Sequence, residues 1–402
     1  MEIYVARQPI FDRKLSIFGY ELLYRRSLNN FYEGNDPDQS TAELINNSFL
    51  SMELNTLTGG TRAFINFTED TLYNEIPLLL PKESIVVEIL ESVKVTERII
   101  EVCKKLKQLG YLLALDDFVF HERLLPLIEI ADIVKIEFTS ISFKKQRQII
   151  KQYKHNTKFL AEKIETREEY HLALDMGFDY FQGYFFCKPV IIVGNKIGGL
   201  NNNLIKILIE LNKEDPIFKN VSEIIKRDIS LSYKLLKLAN TQFYLSRNKI
   251  TSVEQGIVRL GINEIKKLIY LLMLREVETI ENEELIKTCL LRGKFLELLA
   301  NEIDLKNKSL DFFMVGMFSS IDVLLNRKME SILDELPLNG DIREALMGNC
   351  DNYIRKSLNL LLNYEMSDWH NVDKAIIHFP IPHERLLELY IVTLRWVLEL
   401  DY

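Results

Sequence analysis

The chain has 402 residues, 47% of them apolar and 27% charged, with 50 basic against 58 acidic side chains and a net charge of −8. That length accommodates two or three domains with substantial cores, and 22 Phe and 17 Tyr against 10 Pro exclude a disordered chain. The acidic balance argues against a general nucleic-acid coat, which needs a basic face.

The opening residues, MEIYVARQPIFDRK, hold no long apolar core of the secretory kind. Ile3–Ala6 and Leu15–Leu23 flank a turn at Asp12–Lys14 and predict a hairpin. A helical pattern follows over Ser40–Leu57. Short apolar runs rich in β-formers then recur at Arg62–Phe67, Ile85–Leu90, Leu112–Asp117, Ile133–Phe138, Phe159–Ile164 and Tyr180–Phe186. Charged, helix-periodic segments such as Thr96–Leu109 and Ser142–Tyr153 separate them. Repeated strand–helix units predict a mainly parallel sheet covered by helices. This many units in under 200 residues points to an α/β fold of the TIM-like β/α barrel type, with an open doubly wound sheet as the alternative. Val193–Asn203 (VGNKIGGLNNN) reads as a linker. Beyond it the pattern is helical to the end, from Leu204–Asn212 to His383–Leu400. The expected division is therefore a barrel over residues 1–195 and an all-α domain over 196–402.

The four cysteines, Cys103, Cys187, Cys289 and Cys350, stand far apart with no CxxC pair. This fits neither a disulfide framework nor a zinc knuckle, and suits a reducing compartment. The longest apolar stretch of the second half, Leu268–Leu274, is too short for a bilayer. A cytoplasmic protein with no membrane and no DNA partner is expected.

The strands of the first half keep ending in ionisable or amide groups where a buried parallel strand should be apolar. They are Glu21, Asn66, Glu88, Asp116 and Asp117, Lys135, Glu162 and Glu165, and Gln182. In β/α barrels the C-terminal strand ends form the active-site face. Carboxylates and amide oxygens are hard ligands suited to Mg²⁺, Mn²⁺ or Ca²⁺, and without His or Cys among them zinc is disfavoured. The doubled Asp116–Asp117 could let one carboxylate bridge two cations, which at about 3.5–4 Å apart clamp the oxygens of a phosphoryl transfer. A lysine beside them neutralises a phosphate or positions a water, and Glu162 or Glu165 is the candidate general base.

These residues resemble the EAL-domain phosphodiesterases, which linearise cyclic di-GMP. The Glu-Ala-Leu signature has its counterpart in Glu21-Leu22-Leu23, with Arg25 following. The Asn strand corresponds to Phe64-Ile65-Asn66-Phe67, the E-L-T-E motif to Glu88-Ile89-Leu90-Glu91, and the D-D-F motif to Asp116-Asp117-Phe118. K-I-D appears as Lys135-Ile136-Glu137, and A-E-G-V-E-T as Ala161-Glu162-Lys163-Ile164-Glu165-Thr166. Gln182-Gly183-Tyr184-Phe185-Phe186-Cys187-Lys188-Pro189 closes the series, and Gln8-Pro9-Ile10 matches near the N-terminus. The resemblance implies Mg²⁺- or Mn²⁺-dependent hydrolysis of cyclic di-GMP to pGpG at a two-metal site. Glu21, Asn66, Glu88 and Asp116 would ligate one cation, and Asp116 and Asp117 the second. Glu162 would be ligand or base, Lys135 would hold water or phosphate, and Gln8, Arg25, Gln182 and Glu137 would serve the substrate. Glu91 would anchor the loop after Phe118.

That loop departs from the family. Val119-Phe120-His121-Glu122-Arg123-Leu124 stands where Gly-Thr-Gly-Tyr-Ser-Ser is expected. Val and Phe do not follow a path that glycines take at positive φ. The change implies slow turnover, or a receptor or scaffold that signals without catalysis.

The second half resembles the HDOD domain, a relative of HD hydrolases, over Asp228–Asn240, Ile250–Val253, Arg259-Leu260-Gly261, Arg292-Gly293-Lys294-Phe295 and Gly316-Met317-Phe318-Ser319. No His-Asp pair occurs in the chain. No metal chemistry is expected there; the resemblance implies an output role through an unidentified protein partner. A homodimer through the barrel is the other association it allows.

Overall fold

The computed structural model describes residues 3–26, 49–116, 124–187, 202–240, 250–275 and 282–400. Asp117 and the departing loop up to residue 123 lie outside the described residues. Eight strands close a barrel in chain order. They are β1 (Ile3–Asp12), β2 (Ile17–Arg26), β3 (Arg62–Phe67), β4 (Ile85–Ile89), β5 (Leu112–Leu115), β6 (Ile133–Glu137), β7 (Lys158–Glu162) and β8 (Tyr180–Gln182). β1 runs antiparallel to both neighbours, and the other pairs are parallel. The open-sheet alternative is therefore not the one adopted. At the β1–β2 turn the Asp12 carboxylate accepts from the backbone N–H of Lys14 and Ser16, at 2.8 and 2.9 Å. This local bonding is what makes aspartate a turn former.

The helices of the barrel are α1 (Phe49–Thr58), α2 (Glu69–Tyr73), α3 (Glu97–Gln108), α4 (Leu125–Ile128), α5 (Phe143–Tyr153) and α6 (Arg167–Met176). Thr96 caps α3, and Thr166 caps α6 in a reciprocal box with Glu169.

Inside the barrel, Ile10, Phe64, Val86, Ala114, Ile133 and Leu160 form one apolar layer, ringed by Phe18, Leu112 and Tyr180. Side chains two residues apart on a strand share a face. Each next inward position is polar: Asn66 after Phe64, Glu88 after Val86, Asp116 after Ala114, Lys135 after Ile133, Glu162 after Leu160 and Gln182 after Tyr180. On the reversed β1 the step goes backwards, from Ile10 to Gln8, and Gln8 pairs in register with Glu21 of β2. The apolar layer seals the barrel from below, and the polar residues form the layer above it.

β8 is shorter than the sequence pattern predicts. Gly183 takes φ +142°, and a Cβ there would stand 2.1 Å from the Ile164 carbonyl oxygen. The chain turns at that point into a 3₁₀ turn over Tyr184–Cys187. Gly183→Ala should destabilise the barrel by about 1–3 kcal/mol or more, since both the backbone angle and the close approach are lost. Urea unfolding of the full chain measures this, and an unchanged midpoint would contradict it.

The second half holds α7 (Asn202–Leu211), α8 (Phe218–Lys226), α9 (Ile229–Ala239), α10 (Val253–Arg275, broken at Gly261), α11 (Glu283–Glu302), α12 (Ser309–Phe318), α13 (Ile321–Leu325), α14 (Met329–Leu333), α15 (Gly340–Met347), α16 (Tyr353–Glu365), α17 (Trp369–Ile376) and α18 (His383–Glu399). The sequence pattern predicts one helix over Ser309–Leu325. It is broken at Ser319, whose hydroxyl donates to the Gly316 carbonyl at 2.7 Å. α11 and α12 approach closely at Gly316, where a Cβ would meet the Arg292 carbonyl at 2.4 Å. Among the described residues no helix is long and apolar enough to cross a membrane.

The compact units do not follow the expected division at 195/196. One comprises Met1–Lys188 together with Asn359–Tyr402, and the other Pro189–Leu358. The amphipathic faces of the last helices are legible in sequence, but the surface that covers them is not. α18 packs on β1 and α1, and Arg395 of α18 pairs with Glu53 of α1.

Candidate functional site

The polar layer converges on one atom. Lys135 Nζ, on β6, donates to Asp116 Oδ1 at 2.8 Å and to Glu21 Oε2 at 3.3 Å, and makes a close bond to Glu88 Oε1. It is also paired with Glu162 Oε1 at 2.8 Å. The lysine side chain is 1% exposed. Gln182 Nε2 donates to Glu21 Oε2 at 2.6 Å and to Gln8 Oε1 at 3.1 Å, which ties β8 to the β1–β2 ribbon. Asn66 neighbours Glu88 across the β3–β4 ladder.

Four carboxylates facing one ammonium leave a surplus of three negative charges if all are ionised. Such burial is costly unless the charge is compensated. Burial pushes the Glu88 carboxyl well above the usual range, against the pull of Lys135 and with the push of Glu21 and Asp116. Burial likewise raises Glu162, to about 7, although Lys135 opposes it. On Lys135 burial disfavours the charge, but the four carboxylates, Glu162 foremost, outweigh it and hold the ammonium well above its ordinary value. The lysine therefore stays charged while protons collect on Glu88 and Glu162.

Among the described residues no group of three or more acid, His or Cys side chains stands in a metal-holding arrangement; the acidic oxygens turn to Lys135 instead. The donor chemistry still fits a hard divalent cation. Every donor facing the layer is oxygen or amide, and the buried Glu88 Oε2, Glu162 Oε2 and Gln182 Oε1 accept no hydrogen bond from the described residues. Unpartnered buried carboxylate oxygens beside a charge surplus are what a divalent cation would satisfy.

Glu21, Glu88, Asp116, Lys135, Glu162, Gln182 and Gln8 are thus brought together. Other expected residues stand apart. Glu137 is paired with Lys163 at 2.7 Å on a half-exposed edge. Glu165 is exposed, with its backbone N–H held by Glu169, and is not among the acids on Lys135. This favours Glu162 of the two candidate bases. Glu91 is exposed beyond β4. Arg25 lies on β2 opposite Tyr4. Sequence reasoning missed Tyr24. Its hydroxyl is buried, and its acidity is suppressed by burial and then by Glu88 and Glu21. Strand alternation alone would turn it away from Glu21, so no signal in the sequence marks it.

The family model described as EAL domain matches residues 41–189, and the one described as HDOD domain matches residues 198–340. The first match begins after β2, so the placement of Gln8 and Glu21 rests on the strand geometry. The chain is 40% identical to a protein of Bacillus subtilis (strain 168) named YuxH and described as uncharacterized, over 98% of both chains. It is 35% identical to the cyclic di-GMP phosphodiesterase CdgJ of Vibrio cholerae serotype O1, over 98% of this chain and 92% of the relative. A solved structure of a standalone EAL protein from Vibrio cholerae O395, in its c-di-GMP bound form, is 26% identical with a TM-score of 0.37. It covers 46% of this chain and 92% of its own length.

Proposed function

Since the chain belongs to the family of proteins that join an EAL domain to an HDOD domain, we propose that it hydrolyses one phosphodiester bond of cyclic di-GMP to give linear pGpG. The observation that carries this reading is the convergence of Glu21, Glu88, Asp116 and Glu162 on Lys135 at the C-terminal ends of the barrel strands. Glu21, Asn66, Glu88 and Asp116 would hold a Mg²⁺ or Mn²⁺ ion, with Asp116 and Asp117 serving a second. Such ions supply Lewis-acid stabilisation of the phosphoryl oxygens and a nucleophilic water at neutral pH.

The chain's own groups do the rest. Glu162, whose proton affinity burial raises in the metal-free chain, accepts the proton of the attacking water. Lys135 keeps its charge and holds the water or a phosphate oxygen. Gln182 orients Glu21 through its 2.6 Å bond. Gln8, bonded to Gln182 at 3.1 Å, would serve the substrate beside the acidic layer. The helical half serves as the output module, engaging a protein partner. Glu21→Ala should lower metal-dependent pGpG formation at least about 100-fold, as loss of a direct ligand outweighs the 10–100-fold typical of supporting residues. Unchanged turnover would sink the mechanism.

The altered loop Val119–Leu124 favours a second reading, in which the same site binds cyclic di-GMP and turns it over slowly or not at all. Nucleotide binding measured beside product formation separates the two.

A further inference from the structure

Neither family match reaches residues 359–402, yet these belong to the same compact unit as the barrel. Their contacts fall on the open end of the β1–β2 ribbon. The Tyr364 hydroxyl, on α16, donates to the Val5 carbonyl at 3.0 Å. Tyr4 is hydrogen-bonded through its hydroxyl to His383 Nδ1 at 2.5 Å. Its ring lies 5.5 Å from Trp369 and 6.4 Å from Tyr364, and the Tyr364 ring lies 5.3 Å from Trp369 and 5.1 Å from Tyr390. Tyr4, Tyr364 and Tyr390 are all buried. α18 continues this grip along β1 and α1.

The gripped ribbon carries part of the site. Tyr4 pairs in register with Arg25, and four residues on, Gln8 pairs with Glu21. Among the described residues, β2 beyond Glu21 pairs with β1, while its pairing with β3 runs over Gly19–Glu21. Among the described residues, that end of the ribbon is held by the aromatic cage and by Arg7, which donates to the Leu57 carbonyl of α1 at 2.7 Å. A ligand held on such a strand is only as well placed as the packing behind it.

We propose that Tyr364 and Trp369 are positioning residues: the C-terminal helices clamp the open end of the β1–β2 ribbon around Tyr4 and so fix Glu21, which Gln8 faces in register, for cation binding. This rests on the function proposed above only in its choice of cation. The test uses the full chain with Trp369→Ala, its conservative partner Trp369→Phe, and Tyr364→Phe, which deletes a single hydroxyl and serves if the larger change fails to fold. Ile377→Ala, at a side chain 79% exposed, is the control. Mn²⁺ binding without nucleotide is followed by calorimetry, and amide exchange is mapped along the chain.

Trp369→Ala should weaken Mn²⁺ binding about tenfold, at the low end of the effect of supporting groups on metal sites. Trp369→Phe should recover most of it, and Tyr364→Phe should lie between. Exchange should quicken in residues 3–12 and 17–26 while 133–137 and 158–162 keep their protection. In turnover, the Mn²⁺ activation curve should shift with kcat at saturating Mn²⁺ changing less than about threefold, because geometry is restored once the ion is bound. Unchanged Mn²⁺ affinity with unchanged exchange would overturn the proposal. So would faster exchange spread evenly over the barrel, since that marks general loss of stability. Absence of hydrolysis in the parent chain would overturn the phosphodiesterase reading alone, because the calorimetric and exchange results need no turnover.

Discussion

Replacing Lys135 by methionine should cost the metal-free chain about 3–5 kcal/mol at pH 8, the range found when one partner of a buried ion pair is removed. The methionine roughly fills the volume, so the loss is electrostatic. Glu21, Glu88, Asp116 and Glu162 would face one another without the ammonium that each now touches. The same substitution should cost less at pH 5, where Glu88 and Glu162 hold protons. Mn²⁺ should restore part of the loss at pH 8 by supplying the missing positive charge. Hydrolysis should nevertheless stay at background, because no group replaces the lysine at the phosphate or water. Urea unfolding at the two pH values checks the first part. Equal losses at pH 5 and pH 8 would show that the carboxylates are not held as the geometry indicates.

The stability of the unsubstituted, metal-free chain should fall as pH rises from about 4.5 to about 7 through the Glu162 contribution. The ordinary value of that carboxyl is 4.5, and burial raises it to about 7 in the folded state. Below the lower value both states are protonated and the group is neutral to folding. Between the two values the folded state holds a proton that the unfolded state has lost, so stability declines with pH. Above the upper value the full penalty, on the order of 3 kcal/mol, remains. Glu88 acts in the same direction. A divalent cation that takes these oxygens should displace the protons and flatten the decline. Calorimetry of Mn²⁺ binding at pH 6 in buffers of different ionisation enthalpy should then register proton release. Mn²⁺ binding with no proton release would mean that the ion sits elsewhere.

Much of the barrel and its polar layer was legible in sequence, for a local reason. The parallel strands are short apolar runs with a polar residue at or near the C-terminal end, and strand alternation puts that residue two positions above an apolar neighbour, as in Val86–Glu88 and Ile133–Lys135. What could not be read was convergence. Nothing in Ile133–Glu137 says that its lysine reaches Glu21, Glu88 and Glu162 on three other strands and Asp116 just past a fourth, or that Glu165, three residues from Glu162, turns outward. Those facts depend on barrel closure, which is set by non-local pairing. β8 is shorter than its pattern because Tyr180–Phe186 stays apolar while Gly183 turns the backbone. The expected boundary at 195/196 followed the change in pattern from strands to helices. The last helices follow the helical pattern too, but their apolar faces are covered by β1 and α1, and an amphipathic helix does not name the surface that it covers.

In the proposed function the acidic layer around Lys135 performs metal-dependent cleavage of cyclic di-GMP. The most direct test is chromatographic quantification of pGpG formed by the EDTA-treated full chain, with and without added Mg²⁺ or Mn²⁺, beside the Glu21→Ala variant. The expected result is pGpG accumulation that requires the added ion and is lost in the variant. Cyclic di-GMP that binds but stays intact with either ion, or cleavage that Glu21→Ala leaves unchanged, would contradict it.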